Sequence, residues 1–378
     1  MIICDYKKCT ACMACRSVCP KNAISAGLDE TYKTVPVVDE DKCINCNKCK
    51  NICPQNKSEF ANESKKCYAA GRQKDADVTN CASAGVSAAF CEYVIKNGGV
   101  VFGAGYKDGR VSYVCATTLD EAEMLKGSKY VECETLDAYS EAKTLLDEGK
   151  TVLFTGTPCK IAGLSAVLGR DYENLITVDL ICHGTPPAKF LDDYLDEKKV
   201  TKNRTKITFR GADDYKLKVY SDDELVYLSD AAFDEYYRAF YNNVILRDNC
   251  FSCRYTTEKN RPADITIGDF WGLDKTTLET PIDGKASVIL TNTEKGEKFL
   301  AMSGLVCEER TVKEAVAGNA QLKRPASPNK DIEKFLNNYD KGFIKAVNTT
   351  CVRKNIRQNR FNKHIQNIKG TIRKVLGI

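Results

Sequence analysis

Histidine is almost missing from this 378-residue chain: only His183 and His364 occur. That scarcity excludes most histidine-based catalysis and most mixed cysteine–histidine zinc sites. No apolar run approaches the roughly 18–20 residues that span a bilayer, and no basic-then-apolar leader precedes Cys4. The net charge of +5 is mild, and no DNA- or RNA-binding motif accompanies it, so DNA is not an expected partner. What the chain has in abundance is cysteine, 20 residues in all. Without a leader, so many thiols point to a reducing, cytoplasmic setting rather than to a disulfide framework.

Eight of these cysteines form one ladder written twice. Cys9, Cys12, Cys15 and Cys19 stand as C-x2-C-x2-C-x3-C before Pro20, and Cys43, Cys46, Cys49 and Cys53 repeat the pattern before Pro54. This is the spacing of two-cluster bacterial ferredoxins, in which the fourth cysteine of each run ligates the other cluster. Cys9, Cys12, Cys15 and Cys53 are therefore assigned to one 4Fe-4S cluster, and Cys43, Cys46, Cys49 and Cys19 to a second. Zinc knuckles and disulfides are the rivals, but zinc sites use two cysteine pairs, or cysteine with histidine, rather than paired runs of four.

The ferredoxin-type domain is expected over 1–57, with a strand near Val35, and a polar linker over 58–66. Residues 67–340 read as a mixed α/β body, divisible into 67–150 and 151–340. Its predicted elements are a strand at Cys67, a helix over 83–97 stopped by Gly98 and Gly99, and strands at Val100 and 110–117 joined by a turn at Asp108 and Gly109. A helix over 136–148, a strand at 151–155, a short helix over 161–168 and a strand at 175–181 follow; this order implies a parallel α/β unit. Gly103 and Gly105 are followed by a strand, not a helix, which argues against a dinucleotide fingerprint. Short antiparallel strands are expected over 204–229, then an aromatic helix carrying Phe233, Tyr236, Tyr237, Phe240 and Tyr241, whose spacing reads as core. From 341 to 378, ten basic residues lie opposite Ile356, Phe361, Ile365, Ile368, Ile372 and Leu376. This basic amphipathic tail reads as a helix packed on the body, a disordered end, or a peripheral membrane contact.

Four more cysteines stand in loop-like positions. Cys159 and Cys182 each follow a predicted strand, and Cys250 and Cys253 form C-x2-C. Neighbouring parallel strands would deliver the first two to one sheet edge, where α/β folds bind ligands. On spacing alone a third cubane, a four-cysteine zinc site and no metal all stay open. Cys4, Cys67, Cys81, Cys91, Cys115, Cys133, Cys307 and Cys351 are read as small buried hydrophobes.

The segments Thr155–Leu164, Ile181–Pro186, Cys250-x2-Cys253, Ala263–Gly272 and Gly127–Val131 together resemble the beta subunit family of coenzyme F-420 hydrogenase and dehydrogenase. The resemblance spans roughly 67–310. It implies FAD and a third 4Fe-4S cluster on Cys159, Cys182, Cys250 and Cys253. It also implies a flavin pocket near Ser83, Gly85, Ser128, Lys129, Tyr130, Thr155, Gly156, Thr157, His183 and Gly184. Glycine turns let backbone N–H groups approach a pyrophosphate, and a lysine can neutralise it. The chain departs from the family pattern at Ala84, Cys133 and Lys160, where a glycine, a serine and a glutamine are usual.

The expected fold is therefore multidomain, α+β and α/β: a small bacterial-ferredoxin-like domain followed by a mixed α/β flavin and iron–sulfur domain. The expected function is that of an iron–sulfur flavoprotein oxidoreductase. It would pass electrons between a hydride donor, reduced coenzyme F-420 or a similar carrier, and one-electron acceptors such as ferredoxin or another redox protein. The alternative is an electron-transfer subunit or docking partner without its own organic substrate, in bacterial surface-polysaccharide metabolism among other settings. No catalytic acid–base residue is singled out.

Overall fold

The structure, a computed structural model, describes residues 1–57, 62–73, 76, 78–200, 203–211, 214–222 and 224–376. In the N-terminal module, β1 (Ile24–Leu28) and β2 (Thr34–Val38) form an antiparallel hairpin, with Ile24 opposite Val38. Each cysteine ladder ends in a short helix, Ala14–Ser17 in the first and Lys48–Ile52 in the second. The same two positions in each ladder take left-handed backbone: Ala11 and Met13 in the first, Asn45 and Asn47 in the second. Left-handed backbone costs a non-glycine residue about 1–2 kcal/mol, so this winding has to be held by something outside the loop.

The body is one eight-stranded sheet. Its strands are β3 (Lys66–Gly71), β4 (Val100–Lys107), β5 (Arg110–Ala116), β6 (Val152–Gly156), β7 (Leu175–Leu180), β11 (Ile265–Asp269), β12 (Ser287–Thr291) and β13 (Val306–Arg310), in the order β13-β3-β12-β11-β7-β6-β4-β5. The middle run β4, β6, β7 and β11 is parallel. These strands are apolar along their length, as a sheet covered on both faces requires: Val152, Leu153, Phe154 and Val178 are completely buried. Strand β3 sits between β12 and β13, so strands from both sides of residue 150 share one sheet. Strands β11, β12 and β13 lie outside the sequence expectation. A second, antiparallel sheet runs β10 (Glu224–Asp230), β9 (Lys216–Ser221), β8 (Arg204–Thr208). Beside it the Glu235–Tyr241 helix buries Tyr236, Tyr237 and Phe240; Phe233 precedes that helix.

Several boundaries differ from expectation. The predicted 83–97 helix begins at Val86, because Ser83 and Gly85 are left-handed, and the 136–148 helix begins at Ala138, after a left-handed Leu136. The helix expected at 161 starts at Pro158, since proline is preorganised for a first helical position. Of the expected linker, 58–61 lie outside the described residues. The remainder is fastened to the body: Ser64 is buried, with its hydroxyl on Asn292 (2.8 Å), and Lys65 N–H donates to Thr291 O (2.8 Å). The tail is likewise no appendage at its start. Phe343, Val347, Val352 and Ile356 are core residues of the body, and only further along the Cys351–Leu376 helix does Phe361 become 59% exposed. Among the described residues, no helix is long and apolar enough to cross a membrane.

The module packs directly on the Pro158–Leu168 helix. A Cβ at Gly163 would lie 2.9 Å from Cys12 Cβ and 2.7 Å from the Tyr139 hydroxyl, so a bare backbone is what admits Cys12. Gly163→Val should overpack this contact and cost about 1–3 kcal/mol. The expected readouts are a lower urea midpoint and faster proteolytic release of the module; an unchanged midpoint would mean that the helix and the module are not in tight contact.

Candidate metal centres and the buried cations beside them

The ladders wrap two cavities. One is lined by Cys9, Cys12, Cys15 and Cys53, together with Cys4. The other is lined by Cys19, Cys43, Cys46 and Cys49. Each fourth cysteine thus sits with the opposite ladder, which is the exchange expected from the spacing. All twenty cysteines are free thiols. Among the described residues, no three cysteine, histidine or carboxylate groups close on a point that would hold a single ion; the thiols ring a space instead. Backbone N–H groups turn toward the sulfurs: Ala11 toward Cys9, Ala14 toward Cys12, and Gln55 and Asn56 toward Cys53. Gln55 Nε2, at the first cavity, is buried without a partner. All-thiol donors, inward N–H groups and an orphaned amide donor suit an anionic iron–sulfur cluster.

The two sites differ in exposure. Cys9, Cys12, Cys15 and Cys53 are all buried, whereas Cys46 is exposed and its neighbour Ile44 is 57% exposed. Burial pushes the Cys12 thiol up to about 11. A hydrogen bond from Cys4 holds Cys9 down at about 7 and Cys53 at about 6. Cys4 is buried, as expected, and it also lines the first cavity. Cys67, Cys81 and Cys91 are buried as expected; Cys115, Cys133, Cys307 and Cys351 are only partly so.

The third cysteine set also comes together. Cys159 lies in the first turn of the Pro158–Leu168 helix rather than in a loop, and Cys182 follows β7. Both therefore leave the carboxyl ends of neighbouring parallel strands. Cys250 and Cys253 arrive on the tight turn at Asp248–Ser252. Burial raises Cys182 well above the ordinary thiol range, and the nearby Cys250, Cys159 and Cys253 add to the shift. Burial likewise lifts Cys250 to about 11 and Cys253 to about 12. Gly184, at φ 139°, approaches Cys250 so closely that a Cβ would sit 3.3 Å from that of the cysteine. Arg261 fastens the two arms: it donates to Leu180 O (3.0 Å) and Tyr255 O (2.6 Å) and pairs with the buried carboxylate of Asp179. Tyr255, whose buried hydroxyl lacks a partner, lies within electrostatic reach of Cys159, Cys253 and Cys12.

Two buried cations join the third set to the first loop. Arg247 is paired with Glu132 (3.1 Å) and donates to Cys9 O (3.0 Å) and Thr34 O (2.9 Å). Lys160 donates to Ala11 O (2.5 Å) and Thr135 Oγ1 (3.0 Å), while the Thr135 hydroxyl donates to Cys12 O (3.0 Å). By sequence Lys160 is a departure at the expected flavin pocket; its ammonium is in fact on the cluster loop. Lys33 with Asp248 (2.5 Å), Arg254 with Pro54 O (3.0 Å) and Arg16 with Asp137 (3.1 Å) extend the contact. Sequence reasoning missed Arg247, Glu132 and Thr135, because nothing local marks a long-range buried cation.

Of the ten residues proposed for a flavin, five stand at the carboxyl ends of two neighbouring parallel strands. Thr155, Gly156 and Thr157 end β6, and His183 and Gly184 follow β7. Ser83 reaches the start of β12 through Ala286 O (3.4 Å), and Gly85 is left-handed beside Arg72. Ser128 accepts from Phe209 N–H (3.4 Å). Tyr130 stacks on Phe240 at 4.8 Å, and His183 meets the edge of the same ring. Most of their polar groups already have partners. Thr155 Oγ1 donates to Phe102 O (3.2 Å), Thr157 Oγ1 lies 3.3 Å from Cys159 Sγ, and His183 Nε2 meets Asn243 Oδ1 (2.7 Å). Gly156 is bare for a packing reason, since a Cβ would lie 2.0 Å from the Tyr113 hydroxyl. Lys129 donates to Met124 O and Lys126 O, each at 2.8 Å, and burial lowers its ammonium to about 7.

Residues 149–315 match the family model for the C terminus of the coenzyme F420 hydrogenase/dehydrogenase beta subunit, and residues 8–57 match a 4Fe-4S dicluster domain. Among solved structures, the chain is similar to one from the F420-reducing NiFe hydrogenase complex of Methanosarcina barkeri. That likeness is 16% identical, covers 81% of this chain and 94% of the other, and has a TM-score of 0.44. No curated protein matches.

Arg247→Met should strand the Glu132 carboxylate and free the carbonyls of Cys9 and Thr34. Breaking one side of a buried pair costs about 3–5 kcal/mol. Adding Glu132→Gln should recover part of that loss in chemical unfolding. Additive losses in the double variant would show that the two side chains are not energetically coupled.

Proposed function

We propose, for a chain that joins a 4Fe-4S dicluster domain to the C-terminal domain of the coenzyme F420 hydrogenase/dehydrogenase beta-subunit family, an iron–sulfur flavoprotein oxidoreductase. It passes electrons between a hydride donor, reduced coenzyme F-420 or a similar carrier, and a one-electron acceptor such as ferredoxin. Residues at the carboxyl edge would hold an FAD, which would supply two-electron exchange, and the two ladders and Cys159, Cys182, Cys250 and Cys253 would hold 4Fe-4S clusters, which would supply one-electron transfer. The observation that carries this reading is the contact between Cys12 and the helix that begins beside Cys159. In that arrangement Arg247 and Lys160 fix the first loop against the body, and Tyr139 and Tyr255 fill the ground between the two thiol sets. Apolar packing around Cys12 keeps water out of that ground. The second ladder, with Cys46 and Ile44 exposed, faces the side from which a partner protein can approach.

One observation favours the second reading, an electron-transfer subunit without its own organic substrate. Two of the three N–H donors of the Lys129 ammonium are taken by backbone carbonyls, which leaves it a weaker hold on a phosphate or a reduced flavin.

Anaerobically reconstituted protein should hold about twelve irons, from three cubanes, and one FAD. Cys250→Ser with Cys253→Ser should remove about a third of the iron and leave the module's clusters intact. Unchanged iron, with zinc in the preparation, would overturn the third cluster. Addition of reduced coenzyme F-420 should bleach the flavin, and a protein that never retains flavin belongs to the second reading. Replacing Cys9, Cys12 and Cys15 by Ser should leave flavin reduction intact and stop delivery to ferredoxin; undiminished delivery would make the module a side branch.

A further inference from the structure

The two ladders are related by a constant offset, Cys9 to Cys43 and Cys53 to Cys19 by exchange, so each position in one half has a counterpart in the other. The counterpart of Cys4 is Val38, and both line their cavities. One cavity is therefore walled by four sulfurs of cysteine and the other by five. The fifth is not loosely held. Cys4 is buried, and the Asn56 side chain donates to Ile3 O (3.0 Å) and Lys50 O (2.9 Å), fastening the strand of chain at Cys4 to the segment that follows Cys53. Its sulfur shares the wall of that cavity with those of Cys53 and Cys9. A valine serves the second cavity in the same place, so apolar filling alone does not require sulfur there.

We propose that Cys4 is a fifth thiol of the first cluster site, held in the cavity wall where it can replace Cys53 on iron. In the exchange the Fe–S bond to Cys53 breaks and one to Cys4 forms. The Cys4 proton passes to the released Cys53 sulfur, and no electron is gained or lost. The inference rests on the reading that Cys9, Cys12, Cys15 and Cys53 hold a cluster. Wild-type iron content reports on that reading separately.

The test uses the full chain, reconstituted anaerobically, with iron analysis and electron paramagnetic resonance. Cys53→Ala should keep the wild-type iron content with an altered signal from the reduced cluster. Cys19→Ala, in the site with no spare thiol, should lose iron. Cys4→Val combined with Cys53→Ala should fall to the level of Cys19→Ala. If Cys53→Ala loses as much iron as Cys19→Ala, or the double variant keeps as much as Cys53→Ala, Cys4 is not a reserve ligand. Should Cys53→Ala fail to fold, Cys53→Ser against Cys19→Ser, each with and without Cys4→Val, gives the same comparison: iron kept only by Cys53→Ser with Cys4 in place supports the exchange, and equal iron in all four variants overturns it.

Discussion

Winding a peptide around an anion turns its N–H groups inward and its carbonyls outward, and the outward carbonyls need donors of their own. In the first ladder this requirement organises the molecule. Ala11 and Met13 are left-handed without being glycine or asparagine, and the carbonyls of Cys9, Ala11 and Cys12 meet Arg247, Lys160 and Thr135 of the body. The second ladder solves the same problem differently: its left-handed positions are Asn45 and Asn47, residues that tolerate that backbone and can stand in water. One ladder is built for burial and the other for solvent.

The buried cations are also what gives the interface its direction. Lys160 sits one residue after Cys159, and Arg247 three before Cys250. Each therefore ties a loop of the first ladder to a segment that carries a cysteine of the third set. A buried ion is stable only with its partners in place, so the geometry of one thiol set is mechanically coupled to that of the other.

The chemistry is legible in the sequence where it is local. Cysteine spacing foretells the exchange of Cys19 and Cys53, and continuous apolar runs mark β6 and β7 as parallel neighbours ending beside Cys159 and Cys182. Sequence is less informative where long-range packing decides. Lys160 looks like a substitution in a cofactor pocket because its neighbours in sequence are pocket residues, whereas its amine reaches a carbonyl about 150 residues away. Residues 62–66 read as linker because they are polar, yet Ser64 is polar to satisfy a buried asparagine. Leu136 and Ser83 fit helical periodicity, which is blind to a left-handed backbone at a helix start. β12 and β13 escape notice because they pair antiparallel with β3 at the flank of the parallel run, and β11, though parallel to β7, because the chain between those two strands builds a separate sheet.

The position of β3 between β12 and β13 has a consequence for the order of assembly on the ribosome. Both ladders are complete at residue 53, but β3 cannot be paired on both edges until the chain has been made through Arg310. At about 5–20 residues per second that interval lasts roughly 10–50 s. During it the N-terminal thiols are out of the exit tunnel, and neither Arg247 nor Arg261 has been synthesised for most of the wait. The ladders can therefore receive their iron as a small independent unit, and the sheet later closes on a finished module.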